Sequence, residues 1–178
     1  MADAAPSTPR IRATTPGDAG RIADIYVAMA RHHAALDPAE FRVPEHAAVV
    51  TRFRAELEAA EDVDLHLVAE VDGLVVGQLD AFMRPQPSKG SMRIPRRSAL
   101  IGVSVDEGWR GRGIGTALMH AAEAWARDRD FDALELDVAD PNGDARRLYE
   151  RLGYGLVAHT LVKPLDGRPA SGGASGGS

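Results

Sequence analysis

With 178 residues, 44% of them hydrophobic, the chain is long enough to bury a core of its own. The absence of cysteine excludes disulfides, thiolate metal sites and a Cys-linked acyl enzyme. The formal charge of −5 argues against a general nucleic-acid surface, and no apolar run reaches membrane-spanning length, so the composition reads as a cytoplasmic protein that binds neither nucleic acid nor membrane.

Residues 1–9 are small, polar and proline-containing, and read as a loose tail. Ile11 and Ala13 suit a short first strand. Thr15-Pro16-Gly17-Asp18 then reads as a helix start, with Thr as cap, Pro at the first helical position and Asp three residues after the cap. Ile22, Ile25, Tyr26, Met29, His33 and Leu36 follow at helical spacing and predict an inward stripe. Asp37-Pro38 ends this helix, because a residue before proline is pushed out of the helical region. A second helix is predicted to start near Pro44, with Val50, Phe53 and Leu57 on one face.

Two apolar runs, 65–71 and 74–82, flank Asp72-Gly73, the pattern of a hairpin closed by a two-residue turn. Asp80 sits on the second of these strands. Residues 83–97 turn polar, with Pro85, Pro87 and Pro95 among Lys89, Arg93, Arg96 and Arg97. This is a loop, either solvated or facing an acidic group or a remote phosphate.

The next stretch organises the rest. Residues 99–105 form an apolar strand that runs into a turn cleared of side chains at Gly111, Gly113 and Gly115, and a helix begins around Gly113. The first N–H groups of that helix lack helical partners and the helix dipole adds positive charge, so phosphate is the expected guest. Arg110 and Arg112 add full charges at the rim. One residue separates the second and third glycines, so this is not the dinucleotide fingerprint, and no Gly-Lys-Ser/Thr follows, so it is not a P-loop. Taken alone, the turn is equally a plain tight connection. Downstream, Ile114, Leu118, Ala121, Ala122 and Trp125 predict an apolar helix face, 132–138 alternates as a strand, and Asn142 opens a last helix closed by Gly153. Residues 154–164 are expected to supply closing strands. One domain over 10–165, followed by a flexible Gly/Ser tail over 166–178, accounts for the chain.

Arg110-Gly-Arg-Gly-Ile-Gly115 fits the Arg/Gln-x-x-Gly-x-Gly/Ala pattern of the GCN5-related N-acetyltransferases (GNAT). The run from Asn142 through Leu148-Tyr149-Glu150 to Gly153-Tyr154 resembles their last helix, about 30 residues on and in the family's order. The resemblance implies an α/β fold of α+β type: a mixed, mostly antiparallel twisted sheet flanked by about four helices, its central strand pair splayed for acetyl-CoA. It implies acetyl-CoA as co-substrate, no metal, and direct transfer to a primary amine of a small molecule, a peptide N-terminus or a lysine. By the same resemblance the backbone of Val103, Ser104 and Val105 holds the pantetheine arm. Arg110, Gly111, Arg112, Gly113, Ile114, Gly115 and Thr116 hold the pyrophosphate. Asn142 binds the pantetheine or a catalytic water, and Tyr149 protonates the departing thiolate.

Leu136-Asp137-Val138 is similar to the Leu-Glu-Val run of the ribosomal N-terminal alanine acetyltransferases. Asp137, one methylene shorter, is therefore the candidate base through water, and Glu135, on the same side of its strand, is the second candidate. His33, Asp37, Phe41, Asp80 and Glu135 are candidates for acceptor contact, against simple packing for His33 and turn-capping for Asp37. A non-catalytic acyl-CoA sensor and an O-acetyltransferase are the alternative functions. The acceptor and the oligomeric state, a homodimer included, are left open.

Overall fold

The computed structural model describes residues 8–60, 64–87, 90–139, 142–163 and 165. Most of the expected N-terminal tail, Lys89, Pro164 and the Gly/Ser tail lie outside the described residues. Five strands, β1 (Arg10–Ala13), β2 (Leu65–Val71), β3 (Leu74–Met83), β4 (Ser98–Val105) and β5 (Ala133–Glu135), form one sheet in chain order. Neighbours are antiparallel except β4 and β5, which are parallel and joined through a helix, as a parallel pair requires. The helices are α1 (Ala19–Leu36), α2 (His46–Glu58), α3 (Ile114–Asp128) and α4 (Gly143–Arg151).

Helices α1 and α2 cover one face of the sheet, packing Ile22, Ile25 and Phe53 on Val68 and Val75. The other face takes α3, with Leu118, Met119 and Ala122 against Leu79, Ala99 and Ile101. Tyr149 and Leu152 of α4 join that second cluster. Among the described residues no helix is long and apolar enough to cross a membrane.

The first helix starts as a 3-10 turn over Pro16–Asp18 before becoming α-helical. The Asp18 carboxylate accepts the Thr15 N–H at 2.8 Å and pairs with Arg12 at 2.9 Å, while Arg12 also reaches Glu70 at 2.8 Å. These charges tie β1 and β2 to the helix start. The inward stripe of α1 ends at Ala30, and Leu36, expected to face inward, is exposed.

The β2–β3 turn has Asp72 at φ 51° and Gly73 at φ 80°, the left-handed pair that a tight hairpin needs. Val71 faces Leu74 and Glu70 faces Val75, but Ala69 then faces Gly77, so Val76 is an extra residue, a β-bulge. Val76 lies in the α3-side core, and a Cβ on Gly77 would come 3.1 Å from Ile114 and 3.2 Å from Leu118. Two consecutive residues therefore face α3. The bulge is pinned from outside. Asp106 donates its N–H to the Val76 carbonyl at 2.9 Å, Arg21 donates to the Val75 carbonyl at 2.9 Å, and Arg21 pairs with Asp106. A one-residue slip exchanges the faces of every later side chain, so Gln78, Asp80 and Phe82 lie on the α1/α2 side while Leu79 and Ala81 fill the α3-side core.

Two expectations for the C-terminal third are corrected. Pairing of 132–138 is confined to β5, where Ala133, Leu134 and Glu135 face Ser98, Ala99 and Leu100 before the strands part. Residues 154–163 form no strand, and Leu156, Val157, Leu161 and Val162 are exposed.

Candidate active site

Past Leu100, β4 keeps its β3 partner through Val105 but has lost β5, so 101–105 presents an open backbone edge that contains Val103, Ser104 and Val105. The Ser104 hydroxyl is turned away into the sheet, accepting from Gln78 at 3.0 Å. At the end of this edge Arg110 folds back to donate to the Val105 carbonyl at 3.3 Å. Gly111 at φ 73° and Gly113 at φ 78° are left-handed, a region that side-chain-bearing residues avoid, and Gly113 caps α3. The first helical bond runs from Ala117 N–H to the Gly113 carbonyl at 2.9 Å, so Ile114, Gly115 and Thr116 have no helical acceptor for their N–H groups. Arg112 lies over the Trp109 ring at 4.8 Å. Gly115 serves packing: a Cβ there would lie 3.5 Å from Leu148 and 3.8 Å from Val105, so the turn, the open strand edge and α4 converge.

At the start of α4, Asn142 Oδ1 accepts the Ala145 N–H at 3.2 Å, which leaves its amide nitrogen to face His33 Nε2 at 3.4 Å. Since α1 and α4 belong to opposite layers, the two layers meet here. The His33 ring lies 5.1 Å from Phe41, and burial, with the charges of His32 and Arg110, pushes its pKa below the usual histidine range. His33 is thus a neutral imidazole near neutral pH. With Tyr26, Met29 and Phe41 it lines a cavity of about 480 Å³ between α1 and α2. Asp37 is drawn elsewhere. It is buried, and its carboxylate accepts the Ala39 and Glu40 N–H groups at 3.1 and 3.3 Å, so it closes the turn after α1.

Tyr149 projects from α4 edge-on to Tyr154, with ring centroids 6.1 Å apart, and burial pushes its hydroxyl pKa up, so the phenol keeps its proton. It lines an open cleft of about 1630 Å³ together with Arg84, Glu135 and Asp137. Glu135 pairs with Arg84 at 3.2 Å, whereas the Asp137 side chain is 87% exposed and 4.0 Å from the same guanidinium.

Asp80 has a partner that periodicity and motif did not single out. His66 Nδ1 and Asp80 Oδ1 are 2.9 Å apart across β2 and β3, and Phe82 meets the His66 ring edge-on at 5.5 Å. The hydrogen bond to Asp80 raises the His66 pKa, burial opposes it, and the charges of Asp80, Asp64 and Glu56 add to the rise. An unbulged hairpin counted from Asp72-Gly73 would set His66 opposite Leu79, so no local signal in the sequence could have revealed the pair.

An open strand edge beside a glycine-rich turn with unpartnered N–H groups suits an extended chain that ends in a diphosphate. A family model described as the acetyltransferase (GNAT) family matches residues 28–154. The chain is 33% identical over 92 residues to the L-amino acid N-acetyltransferase AaaT of Escherichia coli (strain K12), covering 49% of this chain and 51% of that protein. It thus spans about half the length of that curated relative. Among solved structures, the BH1408 protein of Bacillus halodurans (a mutant) superposes with TM-score 0.80 at 26% identity, over 88% of this chain and 99% of that one. The aminoglycoside N-acetyltransferase AAC(6')-Iy in complex with CoA superposes with TM-score 0.66 at 18% identity, over 90% and 97%, a likeness of fold.

Proposed function

The chain belongs to the acetyltransferase (GNAT) family, and on that premise we propose that it transfers an acetyl group from acetyl-CoA directly to a primary amine. The observation that carries the reading is the parting of β4 from β5 beside the left-handed Gly111 and Gly113 turn. When bound, acetyl-CoA supplies an activated thioester. The N–H groups of Ile114, Gly115 and Thr116 face its pyrophosphate, and Arg110 and Arg112 add charge, Arg110 exchanging the Val105 carbonyl for a phosphate oxygen. The edge at Val103, Ser104 and Val105 pairs with the pantetheine arm as a strand would and offers an N–H to the acetyl carbonyl, where negative charge grows during attack. Asn142 borders that arm. Tyr149, a protonated phenol, donates its proton to the leaving thiolate.

The acceptor amine approaches from the α1/α2 side, where His33 and Phe41 form a wall and Tyr26 and Met29 deepen it. Its proton leaves to a carboxylate; the resemblance nominates Asp137, through water, with Glu135 beside it, both lining the cleft that also holds Tyr149. A relative that acts on L-amino acids makes a free amino acid the first acceptor class to try. The test is thiol release from acetyl-CoA with a panel of L-amino acids, kanamycin and spermidine, followed by mass measurement of the product. Acetyl-CoA binding without thiol release across the panel would instead indicate a sensor, and a product labile to mild base would indicate O-acetylation.

A further inference from the structure

On the α1/α2 face, one row crosses the sheet from His66 on β2 to Asp80 on β3 and Gly102 on β4. Gly102 is two residues past the last β4–β5 pair, so the row ends where the strands part. The His66 and Asp80 side chains are only 8% and 16% exposed. His66 holds Asp80 Oδ1 at 2.9 Å, and among the described residues Oδ2 has no hydrogen-bond partner, nor does the buried Nε2 of His66. Gly102, by contrast, is exposed within an otherwise covered strand, and a Cβ there would meet nothing within 4 Å, so the floor beside Asp80 is open. Shielding a carboxylate and an imidazole in this way costs stability that apolar residues would not, and buried polar groups are ordinarily fully satisfied. The pair also depends on the Val76 bulge, without which Asp80 would point to the α3 side.

We propose that Asp80, positioned by His66, docks the acceptor's ammonium group and takes its proton. The inference rests on the acetyl-transfer reading above. An ammonium N–H donates to Oδ2 and the proton passes to that oxygen, freeing the nitrogen lone pair. The lone pair forms the C–N bond at the thioester carbon, the C–S bond breaks as the thiolate takes the Tyr149 proton, and the nitrogen's second proton passes to water, leaving the neutral amide. Asp80 and Tyr149 then re-equilibrate with water. His66 acts through Asp80: its Nδ1–H fixes the carboxylate's rotamer. The charged groups around the pair are Glu56 of α2 and Asp64 ahead of β2, and along the same face Arg84 with Glu135 and Asp137. With His66 neutral, Asp80 is the better seat for the cation than Asp137, because a shielded carboxylate attracts an ammonium more strongly than a solvated one.

The experiment compares kcat/KM against pH for the parent, Asp80→Asn, Asp137→Asn, His66→Asn and His66→Ala, using the best acceptor from the panel of L-amino acids, kanamycin and spermidine. Asp80→Asn is isosteric and still accepts the His66 N–H, and folding is checked by thermal melting and acetyl-CoA affinity by calorimetry. It is expected to melt and bind acetyl-CoA as the parent does, yet to lose at least about 10-fold in kcat/KM near neutral pH, more than Asp137→Asn loses. The deficit should shrink as pH rises through the acceptor's own ionisation, where the free amine needs no base. His66→Asn sets an amide nitrogen at the Nδ1 position and should retain more activity than His66→Ala. A folded Asp80→Asn variant within about 2-fold of the parent at every pH, or a deficit that pH does not change, overturns the proposal. Equal loss in the two His66 variants overturns the positioning role. A parent that releases no thiol with any acceptor refutes the acetyl-transfer reading and this inference with it, whereas an active parent with an unaffected Asp80→Asn removes the inference alone.

Discussion

Replacing Gly113 by alanine separates backbone conformation from every other contribution to the phosphate turn. Gly113 sits at φ 78° and ψ 0°, and a Cβ built there would touch nothing within 4 Å, so the substitution introduces no clash. What it introduces is an L side chain in the left-handed region, worth about 1–2 kcal/mol. For a chain of this size each kcal/mol moves the melting temperature by roughly 2–4 °C, so the variant should melt about 2–8 °C lower. Gly20, inside α1 and also with nothing within 4 Å of its Cβ, is the control. There the same change should stabilise by about 0.5–1 kcal/mol, because alanine loses less freedom on entering a helix. If the Gly113→Ala backbone relaxes out of the left-handed region, the N–H groups that follow turn away from the pyrophosphate. Losing one charge-assisted hydrogen bond costs about 1.5–3 kcal/mol, or about 10- to 100-fold in acetyl-CoA affinity by titration calorimetry. Parental affinity in a folded variant with a bulky side chain at Gly113, or in a Gly113→Ala variant whose unchanged melting temperature shows that the strain has been relaxed, would refute the phosphate-turn assignment. Equal stability changes at Gly113 and Gly20 would refute the strain argument.

Tyr149→Phe keeps the ring against Tyr154 and removes only the hydroxyl, so acetyl-CoA affinity should hold while steady-state turnover falls at least about 10-fold; equal turnover would remove the proton-donor role. Gly77→Ala puts a methyl group 3.1 Å from Ile114, 3.2 Å from Leu118 and 3.3 Å from the Ser104 carbonyl, and should lower stability by about 1–3 kcal/mol in denaturant titrations. The hydrogen bond from Arg12 holds the Asp18 pKa down at about 2 against an ordinary 3.8. A depressed carboxylate pKa contributes stability in full above 3.8 and loses it as pH falls towards 2, so Asp18→Asn should destabilise at neutral pH and converge with the parent in acid, read from urea midpoints at both.

Much of the fold, and the turn and helix cap to which the proposed function assigns the cofactor, was legible because the conformation there is set locally. Asp72-Gly73 makes its turn with two left-handed residues, Gly111 and Gly113 clear a strand-to-helix connection, and Asn142 caps the helix that carries Tyr149, each within a few residues of chain. The acceptor side was not legible in this way. His33 and Asn142 meet across 109 residues, and β5 leaves β4 after three pairs, which opens the backbone edge of 101–105. Nothing around Val76 announces a bulge. Its carbonyl faces outward because Asp106, from the end of β4, supplies the N–H that satisfies it, and Arg21 of α1 holds both Asp106 and the neighbouring Val75 carbonyl. The residues therefore determine the turns and the strands β1 to β4, but not how far β5 runs or whether 154–163 pairs. The tertiary structure determines the register between them, since a strand carries the same alternation in either register and only donors from distant elements decide which face Asp80 takes.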